Sequence, residues 1–442
     1  MMLSLAKALR VDSSPCIAFV GAGGKTTAMF QLARQLTPPV IVTATSHLGT
    51  WQLELADRHI VTEMPSPIEE LEHGLSGVIL ITGEIEGDRT KPINDDLLRW
   101  LDQFCNYHSI PLLIEADGSR QKPLKAWAEH EPPIPSMAEL IVNVVGLSVL
   151  EKPLTDHYVH RPELFSKVTG LKMGETITPD AILRLLTHEK GSEKNTPHTA
   201  KRIVLLNQAD TPELQSTAHG MVQSLLHNYQ AVLISSINAQ KIYAVHEPIA
   251  GIILAAGASS RFGEVKQLLD WHGQPFVRAV AKTALEAGLS PVIVVTGANS
   301  EKVEDATKDL NVMRVHNAEW ESGQGSSIKT GISSVQNVSI GGAIFLLADQ
   351  PQITTSVLRA LVEKHAEGLS PIVAPMVMDQ RANPVLFDRV TFKDLMSIEG
   401  DVGGRAIFHK HRVEYLPWHD DRLLLDVDTP EMYQRLITDD TL

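Results

Sequence analysis

The stretch IAGIILAAGASSRFGEVKQLL, residues 249–269, decides the fold of the C-terminal half of the chain. An apolar run typical of a buried strand breaks into small residues, and two cations, Arg261 and Lys266, follow. Glycine and other small residues let backbone N–H groups approach phosphate oxygens closely. Arg261 can bond two oxygens as a fork, and Lys266 adds a compact charge. The pattern therefore predicts a strand followed by a polyphosphate-binding loop.

A second opening of the same kind lies near the N-terminus. CIAFV (16–20) precedes a glycine loop, and TTAMFQLARQL then has the apolar spacing of a helix. Apolar runs alternate with helical segments after both openings, which predicts parallel sheets covered by helices on both faces. We expect an α/β protein of two domains, a P-loop-type domain over 1–245 and a Rossmann-like domain over 246–442.

The predicted strands are apolar runs bounded by turn residues. Those of the first half are CIAFV (16–20), VIVTAT (40–45), GVILIT (77–82), PLLIEAD (111–117), LIVNVVG (140–146) and RIVLLNQAD (202–210). Those of the second half are IAGIILAAG (249–257), PVIVVTG (291–297), AIFLLAD (343–349) and PIVAP (371–375).

Composition excludes several classes of protein. The chain has 442 residues and a formal net charge of -14, which argues against a nucleic-acid binder. No apolar run approaches the roughly 18 residues that span a bilayer, and the start of the chain has no clear signal-peptide pattern. We therefore expect a cytoplasmic protein with no membrane or nucleic-acid partner. Cys16 and Cys105 lie in apolar surroundings, which favours buried, inert thiols over a disulfide scaffold.

An acidic residue ends one of the buried strands. AIFLLADQP (343–351) places Asp349 where Gln350 and Pro351 turn the chain away. Mg²⁺ prefers one or two carboxylates together with phosphates and water. Taken alone, Asp349 could equally cap a helix; combined with Arg261 and Lys266 it predicts a magnesium–triphosphate site.

The two motifs together resemble a known family. LAAGASSRFGEVKQLL (254–269) followed by ADQP (348–351) is similar to the MobA-like nucleotidyltransferases, which attach CMP or GMP to molybdopterin. Supporting stretches are NAEWESGQGSSIKTG (317–331), RANPVLF (381–387), GDVGGRAIF (400–408) and DVDTPE (426–431). Their order and spacing resemble those of the molybdenum cofactor cytidylyltransferases. In this family LAAG is associated with CTP and LAGG with GTP, so Ala256 favours cytidine.

The resemblance implies the substrates and the residues that bind them. The substrates are CTP and molybdopterin-bound molybdenum cofactor, with Mg²⁺ as the metal and pyrophosphate as the second product. The nucleotide would contact Leu254, Ala255, Ala256 and Gly257, with Arg261 and Lys266 on the triphosphate and Asp349 on Mg²⁺. The pterin or the base would face Trp320, Gly323, Gln324, Ser326 and Ser327, with Asn383 and Pro384 on the acceptor side. Asp426 or Asp428 is either a second metal contact or a helix cap.

The N-terminal loop FVGAGGKTT (19–27) follows a strand and opens a helix, as a phosphate-binding loop requires. It departs from the strict pattern, because glycine stands at Gly21 instead of at Phe19. The compact GxxGKTT form resembles the loop of Mur-type ligases. That resemblance implies a cradle of Gly21, Gly23 and Gly24, with Lys25 on the β- and γ-phosphates and Thr26 or Thr27 near Mg²⁺. A purely structural turn is the alternative.

Further acidic and polar strand ends accompany this loop. PLLIEADGSRQKPLK (111–125) places Glu115 and Asp117 at a strand's end, where metal-binding acids belong. LLNQAD (205–210) is similar to the guanine-selecting NKxD motif, but Gln208 stands at the lysine position. The base is therefore open, and we expect either ATP or GTP as a second nucleotide.

Nearly all of residues 10–240 resembles the YqeC family, the selenium-dependent hydroxylase accessory proteins. The resemblance rests on VTATSHLGT (42–50), EADGSRQKPLKAWAEHEPPIP (115–135) and VVGLSVLEKPLTDHYVHRPE (144–163). It implies a role in maturing selenium-dependent molybdenum hydroxylases, with an apo-hydroxylase as partner. Four histidines either bind a metal or substrate or make ordinary hydrogen bonds: His47, His130, His157 and His160.

The sequence as a whole predicts a bifunctional enzyme. Its C-terminal half would make cytidylylated molybdenum cofactor, and its N-terminal half would use a nucleotide in a linked step of hydroxylase maturation. Two enzymatic alternatives are a guanylyltransferase and a sugar-phosphate nucleotidyltransferase. A third alternative is a nucleotide-gated chaperone that carries the cofactor to the hydroxylase.

Overall fold

The computed structural model describes residues 3–11, 15–62, 71, 74–129, 131–258, 262, 264–427 and 429–439. It divides into two compact units, Met1–Val245 and His246–Leu442. Each unit is built on one large sheet and has its own apolar core. Among the described residues, no helix has the length and apolar character needed to cross a bilayer.

The first unit contains thirteen of the described strands and six of the described helices. The strands are β1 (Cys16–Gly21), β2 (Val40–Ala44), β3 (Arg58–Val61), β4 (Val78–Thr82), β5 (Ile85–Glu86), β6 (Arg89–Thr90), β7 (Leu112–Glu115), β8 (Leu124–Lys125), β9 (Leu140–Gly146), β10 (Val159–His160), β11 (Lys201–Asn207), β12 (Ala231–Ser236) and β13 (Lys241–His246). The helices are α1 (Leu5–Ala8), α2 (Lys25–Ala33), α3 (Asp95–His108), α4 (Pro162–Thr169), α5 (Pro179–Thr187) and α6 (Pro212–Leu225).

Nine of these strands form one sheet in the order β13-β12-β11-β9-β1-β7-β2-β4-β3. Every pairing from β12 to β3 is parallel, as the sequence predicts. Strands β1, β2, β4, β7, β9 and β12 are buried along their whole length, which explains their unbroken apolar runs. The chain leaves β1 to one side and later continues on the other. The loop after β1 therefore lies at the switch in strand order, where parallel sheets bind ligands.

Local sequence explains the helices that cover this sheet. At the start of α3, the Asn94 side chain accepts a hydrogen bond from the Leu97 N–H, and Asp95 and Asp96 lie in the first turn, where carboxylates stabilise a helix. The buried side chains of α3 recur at helical spacing and face the sheet: Leu97, Leu98, Leu101, Phe104 and Cys105.

The second unit contains ten described strands and six described helices. The strands are β14 (Ile249–Ala255), β15 (Asp270–Trp271), β16 (Gln274–Pro275), β17 (Val292–Thr296), β18 (Met313–His316), β19 (Gly342–Leu347), β20 (Ile372–Val377), β21 (Gln380–Arg381), β22 (Val385–Asp388) and β23 (Val413–Pro417). The helices are α7 (Phe276–Glu286), α8 (Ser300–Ala306), α9 (Gln324–Ser333), α10 (Thr355–Ala366), α11 (Phe392–Leu395) and α12 (Pro430–Asp439).

The sheet of the second unit has the order β18-β17-β14-β19-β22-β20-β21, with β23 beside β20. The pairings from β18 to β19 are parallel, but β22 runs antiparallel to both β19 and β20. The expectation of a parallel sheet is therefore wrong at β22, and the sheet is mixed. Successive residues of β14 point to opposite faces, Ile252 into one apolar cluster and Ile253 into another, so helices cover both faces.

The two cysteines are buried, as the sequence predicts. Cys16 is 4% exposed and Cys105 is 3% exposed, and both are free thiols. Burial raises the pKa of Cys105 to about 12 and raises that of Cys16 further.

Candidate functional sites

The site of the second unit forms at the carboxyl ends of two neighbouring parallel strands. Leu254 of β14 pairs with Leu347 of β19, and the Ala348 N–H donates to the Leu254 carbonyl at 3.3 Å. The loop after β14 and Asp349 after β19 therefore start from the same sheet edge. The strand pairing itself brings together the glycine loop and the acid, although Gly257 and Asp349 lie 92 positions apart in the chain.

A pocket of about 580 Å³ opens at this edge. Nine of the residues predicted from the sequence line it: Leu254, Ala256, Gly257, Lys266, Trp320, Gly323, Gln324, Ser327 and Asp349. Seven further lining residues were not predicted: Ala258, Gln267, Glu321, Ser322, Leu347, Ala348 and Asp401.

Four predicted and described residues of this half are not among those that line the pocket: Ala255, Ser326, Asn383 and Pro384. Ala255 is 2% exposed and packs in the apolar core under the sheet. Ser326 is buried and donates to the Glu319 carbonyl at 2.9 Å. Three predicted residues lie outside the described part of the chain: Arg261, His130 and Asp428.

Asp401 fixes the start of α9 at the pocket wall. Its Oδ1 accepts the Gln324 N–H at 3.2 Å, and the Gly400 carbonyl accepts the Gly325 N–H at 3.1 Å. Gly323 has φ +110°, and a Cβ there would lie 2.5 Å from the Asp401 amide nitrogen, so only glycine fits. Sequence reasoning missed Asp401, although the stretch 400–408 that contains it supports the family resemblance.

Buried amide side chains hold the other loops around the pocket. Gln267 Nε2 donates to the Gly257 carbonyl at 2.8 Å, which fixes the glycine loop against the turn that carries Lys266. Asn317 Nδ2 donates to Ser327 Oγ at 3.0 Å on the opposite wall. Both amides lie within stretches that support the family resemblance, 254–269 and 317–331, but sequence reasoning missed their roles because a Gln or Asn in such a stretch does not reveal which backbone group or side chain it bonds.

Gln350 links two acidic stretches beside the pocket. Its Nε2 donates to Asp426 Oδ1 at 2.7 Å, so Asp426 lies next to the turn that follows Asp349. Of the two sequence interpretations of Asp426, a metal contact or a helix cap, this bond establishes neither. The bond does show that Asp426 lies near the carboxyl end of β19.

The charges in the pocket favour a nucleotide that arrives with a divalent cation. Among the described lining residues, one lysine faces three carboxylates, namely Lys266 against Asp349, Asp401 and Glu321. A triphosphate alone would meet net repulsion there, whereas a metal ion would offset it. Asp349 is a hard oxygen donor that suits Mg²⁺. No group of three or more metal-ligating side chains occurs in the part of the chain described here, so phosphate oxygens and water would complete the metal's shell.

The site of the first unit lies after β1, next to β7. Phe19 of β1 pairs with Glu115 of β7, so the glycine loop and the acids share one sheet edge. Gly21, Gly23 and Gly24 have φ of +93°, +82° and +112°, the left-handed region that favours glycine. Helix α2 begins at Lys25, and the first amide groups of a helix have no acceptor within the helix itself.

Lys25 is buried among the two predicted acids. Its Nζ lies 3.1 Å from Asp117 Oδ1 and 3.8 Å from Glu115 Oε1, and it donates to the Gly21 carbonyl at 3.0 Å. Burial opposes the charge of Lys25, but the carboxylates of Asp117 and Glu115 outweigh it and raise the pKa. Burial raises the pKa of Glu115, whose Oε2 accepts the Thr26 hydroxyl at 2.5 Å. Thr26 and Glu115 together offer two hard oxygens, a donor set that fits Mg²⁺.

A buried charge network extends from Asp117 and was not predicted. Lys125 is fully buried, with its Nζ 3.0 Å from Asp117 Oδ2 and 3.4 Å from Glu131 Oε2. Arg161 Nη2 donates to Glu131 Oε1 at 3.1 Å. Trp127 Nε1 donates to Asp117 Oδ2 at 2.8 Å. These contacts explain why charged residues recur through 115–135.

Protein acceptors already bond the amide groups of the glycine loop. The Gly21 N–H donates to both oxygens of Asp117 at 3.1 Å, the Ala22 N–H to the Val144 carbonyl at 2.8 Å, and the Gly23 N–H to the Lys122 carbonyl at 3.1 Å. The loop therefore has a fixed shape.

The NQAD stretch contacts the loop through its asparagine. Asn207 Nδ2 donates to the Gly23 carbonyl at 2.7 Å, and its Oδ1 accepts the Ile237 N–H at 2.9 Å. Gln208, at the position where NKxD has lysine, accepts the Ser148 hydroxyl at 2.5 Å. The base therefore remains open at this site.

The predicted histidines have different surroundings. His47 Nδ1 lies 2.8 Å from the Thr90 carbonyl, an ordinary hydrogen bond. The carbonyl of His157 accepts the Lys122 ammonium at 3.0 Å. Burial, together with Arg161 and other cations, lowers the pKa of His160 to about 4, so its ring is neutral at physiological pH.

The fold is that of an α/β protein of two units, each with a candidate site at the carboxyl ends of parallel strands. The family comparisons give each unit its family. Residues 17–163 match the YqeC protein family, and residues 251–415 match the MobA-like NTP transferase domain family. The chain belongs to the YqeC family through its N-terminal half, and its C-terminal half contains a MobA-like NTP transferase domain.

Individual relatives cover one half each. The uncharacterized protein YqeC of Escherichia coli (strain K12) is 30% identical over 232 residues, which is 50% of this chain and 87% of the relative. The nicotine blue oxidoreductase of Paenarthrobacter nicotinovorans is 31% identical over 200 residues, 43% of this chain and 96% of the relative. The molybdenum cofactor cytidylyltransferase of Escherichia coli (strain K12) is 23% identical over 181 residues, 41% of this chain and 91% of the relative.

Proposed function

We propose that the C-terminal unit transfers CMP from CTP to molybdopterin-bound molybdenum cofactor and releases pyrophosphate. We propose further that the N-terminal unit binds ATP or GTP and uses it in a linked step of selenium-dependent molybdenum hydroxylase maturation. One observation carries the first proposal: Lys266 and Asp349 come from two different strand ends and line the same pocket as Ala256 and Gly257.

The pocket residues divide the work of the transfer. The loop after β14 accepts the nucleotide, and Lys266 neutralises negative charge on the β- and γ-phosphates as pyrophosphate leaves. Asp349 would hold Mg²⁺, which would offset further phosphate charge. The terminal phosphate of the pterin attacks the α-phosphorus of CTP, so no covalent intermediate with the protein forms. Gln324 and Ser327, on the opposite wall, orient the acceptor.

Turnover of charge-removal variants tests this assignment. Asp349→Ala and Lys266→Ala are each expected to lose most of the pyrophosphate release when the protein is incubated with molybdenum cofactor, Mg²⁺ and CTP. The matched control is the exposed ion pair at the end of α8, between Asp305 in the helix and Lys308 just after it, whose side chains are 71% and 70% exposed. Asp305→Ala and Lys308→Ala are expected to retain full turnover. Near wild-type pyrophosphate release by either pocket variant refutes the assignment.

The choice of base is tested at Ala256. Ala256 is 4% exposed and lines the pocket. The family resemblance associates this methyl group with CTP, so Ala256→Gly is expected to raise turnover of GTP relative to CTP. Mass analysis of the dinucleotide product identifies the base transferred. An unchanged ratio of CTP to GTP turnover would show that residue 256 does not determine which base is transferred.

Three other functions predict different readouts from the same incubation. The relative named as an oxidoreductase shares this domain at 31% identity, so a redox reaction is a second candidate for the pocket. Oxidation or reduction of a dye substrate without pyrophosphate would favour it. A cofactor chaperone predicts nucleotide-dependent binding to an apo-hydroxylase and no pyrophosphate. A sugar-phosphate nucleotidyltransferase predicts pyrophosphate release with a sugar phosphate in place of the molybdenum cofactor.

The nucleotide site of the first unit has its own test. Lys25 lies at the start of α2 among two acids and a glycine loop, and Thr26 and Glu115 would supply oxygens for Mg²⁺. Lys25→Ala in the full chain is expected to abolish one component of ATP or GTP binding measured by calorimetry with Mg²⁺ present. If binding of both nucleotides is unchanged in Lys25→Ala, the first unit has no nucleotide site at this loop.

A further inference from the structure

We propose that Lys125 is the permanent counter-ion of Asp117, and that it thereby releases Lys25 to bind the phosphates of the nucleotide. The inference rests on the proposed nucleotide site of the first unit and deepens it. It gives Lys125 and Asp117 positioning roles and leaves Glu115 as the acid that faces the metal.

Protein groups surround the Asp117 carboxylate on the side of both oxygens. It accepts the Gly21 N–H at 3.1 Å and Trp127 Nε1 at 2.8 Å. The ammonium groups of Lys25 and Lys125 lie 3.1 Å and 3.0 Å from its oxygens as ion-pair partners. The Asp117 side chain is also fully buried. Asp117 therefore acts as a fixed buried anion that anchors the loop.

Glu115 is less occupied than Asp117. Its Oε2 accepts the Thr26 hydroxyl, and its Oε1 lies 3.8 Å from Lys25 Nζ, beyond an ordinary hydrogen bond. The Glu115 side chain is 7% exposed, whereas that of Asp117 is not exposed at all. Glu115 with Thr26 is therefore the pair that can turn toward a metal ion, and Asp117 is not.

Lys25 must leave its present partners in order to reach a phosphate. It is shared by the Gly21 carbonyl, Asp117 and Glu115. Leaving Asp117 as a buried carboxylate without a counter-charge would be strongly unfavourable. Lys125 prevents this, because its ammonium stays 3.0 Å from Asp117 and is anchored by the Gly118 carbonyl at 2.7 Å.

Glu131 competes with Asp117 for the positive charge of Lys125. Its Oε2 lies 3.4 Å from Lys125 Nζ, so Lys125 divides its charge between two carboxylates. Arg161 also pairs with Glu131, and its side chain is 28% exposed and can be solvated if that partner is lost. Without the charge of Glu131, Lys125 would pair with Asp117 alone. Lys25 could then leave Asp117 at a lower cost in free energy. Glu131 and Lys125 therefore affect nucleotide affinity with opposite signs.

Calorimetric titration of the full chain with MgATP and with MgGTP tests the proposal. The quantity followed is the binding component that Lys25→Ala abolishes. Lys125→Met is expected to raise its dissociation constant about tenfold or more, because Asp117 then depends on Lys25 alone. Glu131→Gln is expected to lower it about threefold. The control is Lys194→Met, which should leave the dissociation constant unchanged, since the Lys194 ammonium donates to the Ala128 carbonyl at 3.0 Å.

Each outcome decides the matter. A Lys25-dependent site whose affinity is the same in Lys125→Met and wild type overturns the inference while the proposed nucleotide site stands. If circular dichroism shows that Lys125→Met does not fold, Glu131→Gln decides alone: tighter binding supports the inference, and equal or weaker binding overturns it. If Lys25→Ala changes no nucleotide binding, the proposed site itself fails, and the inference fails with it.

Discussion

Replacing Gly23 with alanine tests the close packing on which the first site depends. Gly23 has φ +82°, and a Cβ there would lie 2.3 Å from the amide nitrogen of Gly146 and 2.8 Å from the Pro123 carbonyl. Both contacts are with backbone, which has no flexible end to move aside. The methyl group would also part the hydrogen bond from the Gly146 N–H to that carbonyl, now 2.9 Å long.

Gly174 provides a matched control in the same unit. Its φ is +84°, and a Cβ there would have nothing within 4 Å. Gly174→Ala therefore incurs only the strain of a left-handed alanine, about 1–2 kcal/mol. Gly23→Ala incurs that strain and an overpacking cost of about 1–3 kcal/mol or more. The expected difference between the two variants is about 2 kcal/mol, or roughly a thirtyfold change in an equilibrium constant.

Hydrogen exchange with mass spectrometry measures this difference locally. The amides of β1 and β9 are expected to exchange about thirtyfold faster in Gly23→Ala than in Gly174→Ala, if exchange reports the opening equilibrium. Gly23→Ala is also expected to lose the nucleotide binding that depends on Lys25. Equal exchange in the two variants would refute the packing of the glycine loop against Gly146.

Three further outcomes are expected. Burial raises the pKa of Glu115 above the ordinary value of 4.5, so this carboxylate takes up a proton, and loses the charge that would attract Mg²⁺, at a higher pH than an exposed glutamate does. Mg²⁺-dependent nucleotide binding should therefore weaken on mild acidification. Glu115→Gln should abolish this pH dependence. Cys16 and Cys105 should not react with a thiol reagent at mildly alkaline pH until the protein is unfolded, and fast labelling of the native protein would contradict their burial. Asn207→Ala leaves the Gly23 carbonyl and a backbone N–H unpaired and should lower the free energy of unfolding by about 2 kcal/mol, whereas Asn228→Ala, at a partly exposed contact, should have little effect in the same urea titration.

The sequence predicts the parallel core of each sheet because these strands are apolar without interruption. Leu254 and Leu347 end such runs, and the residues after them, Gly257 and Asp349, share a sheet edge as the strand pattern predicts. The sequence does not predict strand β22, because its short apolar run lies in RANPVLF (381–387), a stretch that supports the family resemblance and has no strand-length pattern of its own. Its antiparallel pairing depends on contacts with β19 and β20 that no local pattern encodes.

The charge network around Asp117 could not be predicted from the sequence. Lysine is rarely buried, so the sequence predicts that Lys125, in a short polar segment, is exposed. Its burial depends on the pairing of Leu124 with Val159, which joins β8 to a strand far along the chain. Asp401 was missed for a similar reason, since its bond to the Gln324 N–H spans 77 residues. Long-range contacts of this kind leave no periodicity in the sequence.

The three bonded amides of the glycine loop have a consequence for how fast a ligand can be captured. Gly21, Ala22 and Gly23 are tied to Asp117, Val144 and Lys122 before any ligand arrives, so folding of the unit has already ordered them. A preorganised receptor of this kind loses little conformational entropy on association. We therefore expect the association rate to be set by diffusion and by the movement of one lysine side chain, with no slow backbone rearrangement preceding capture.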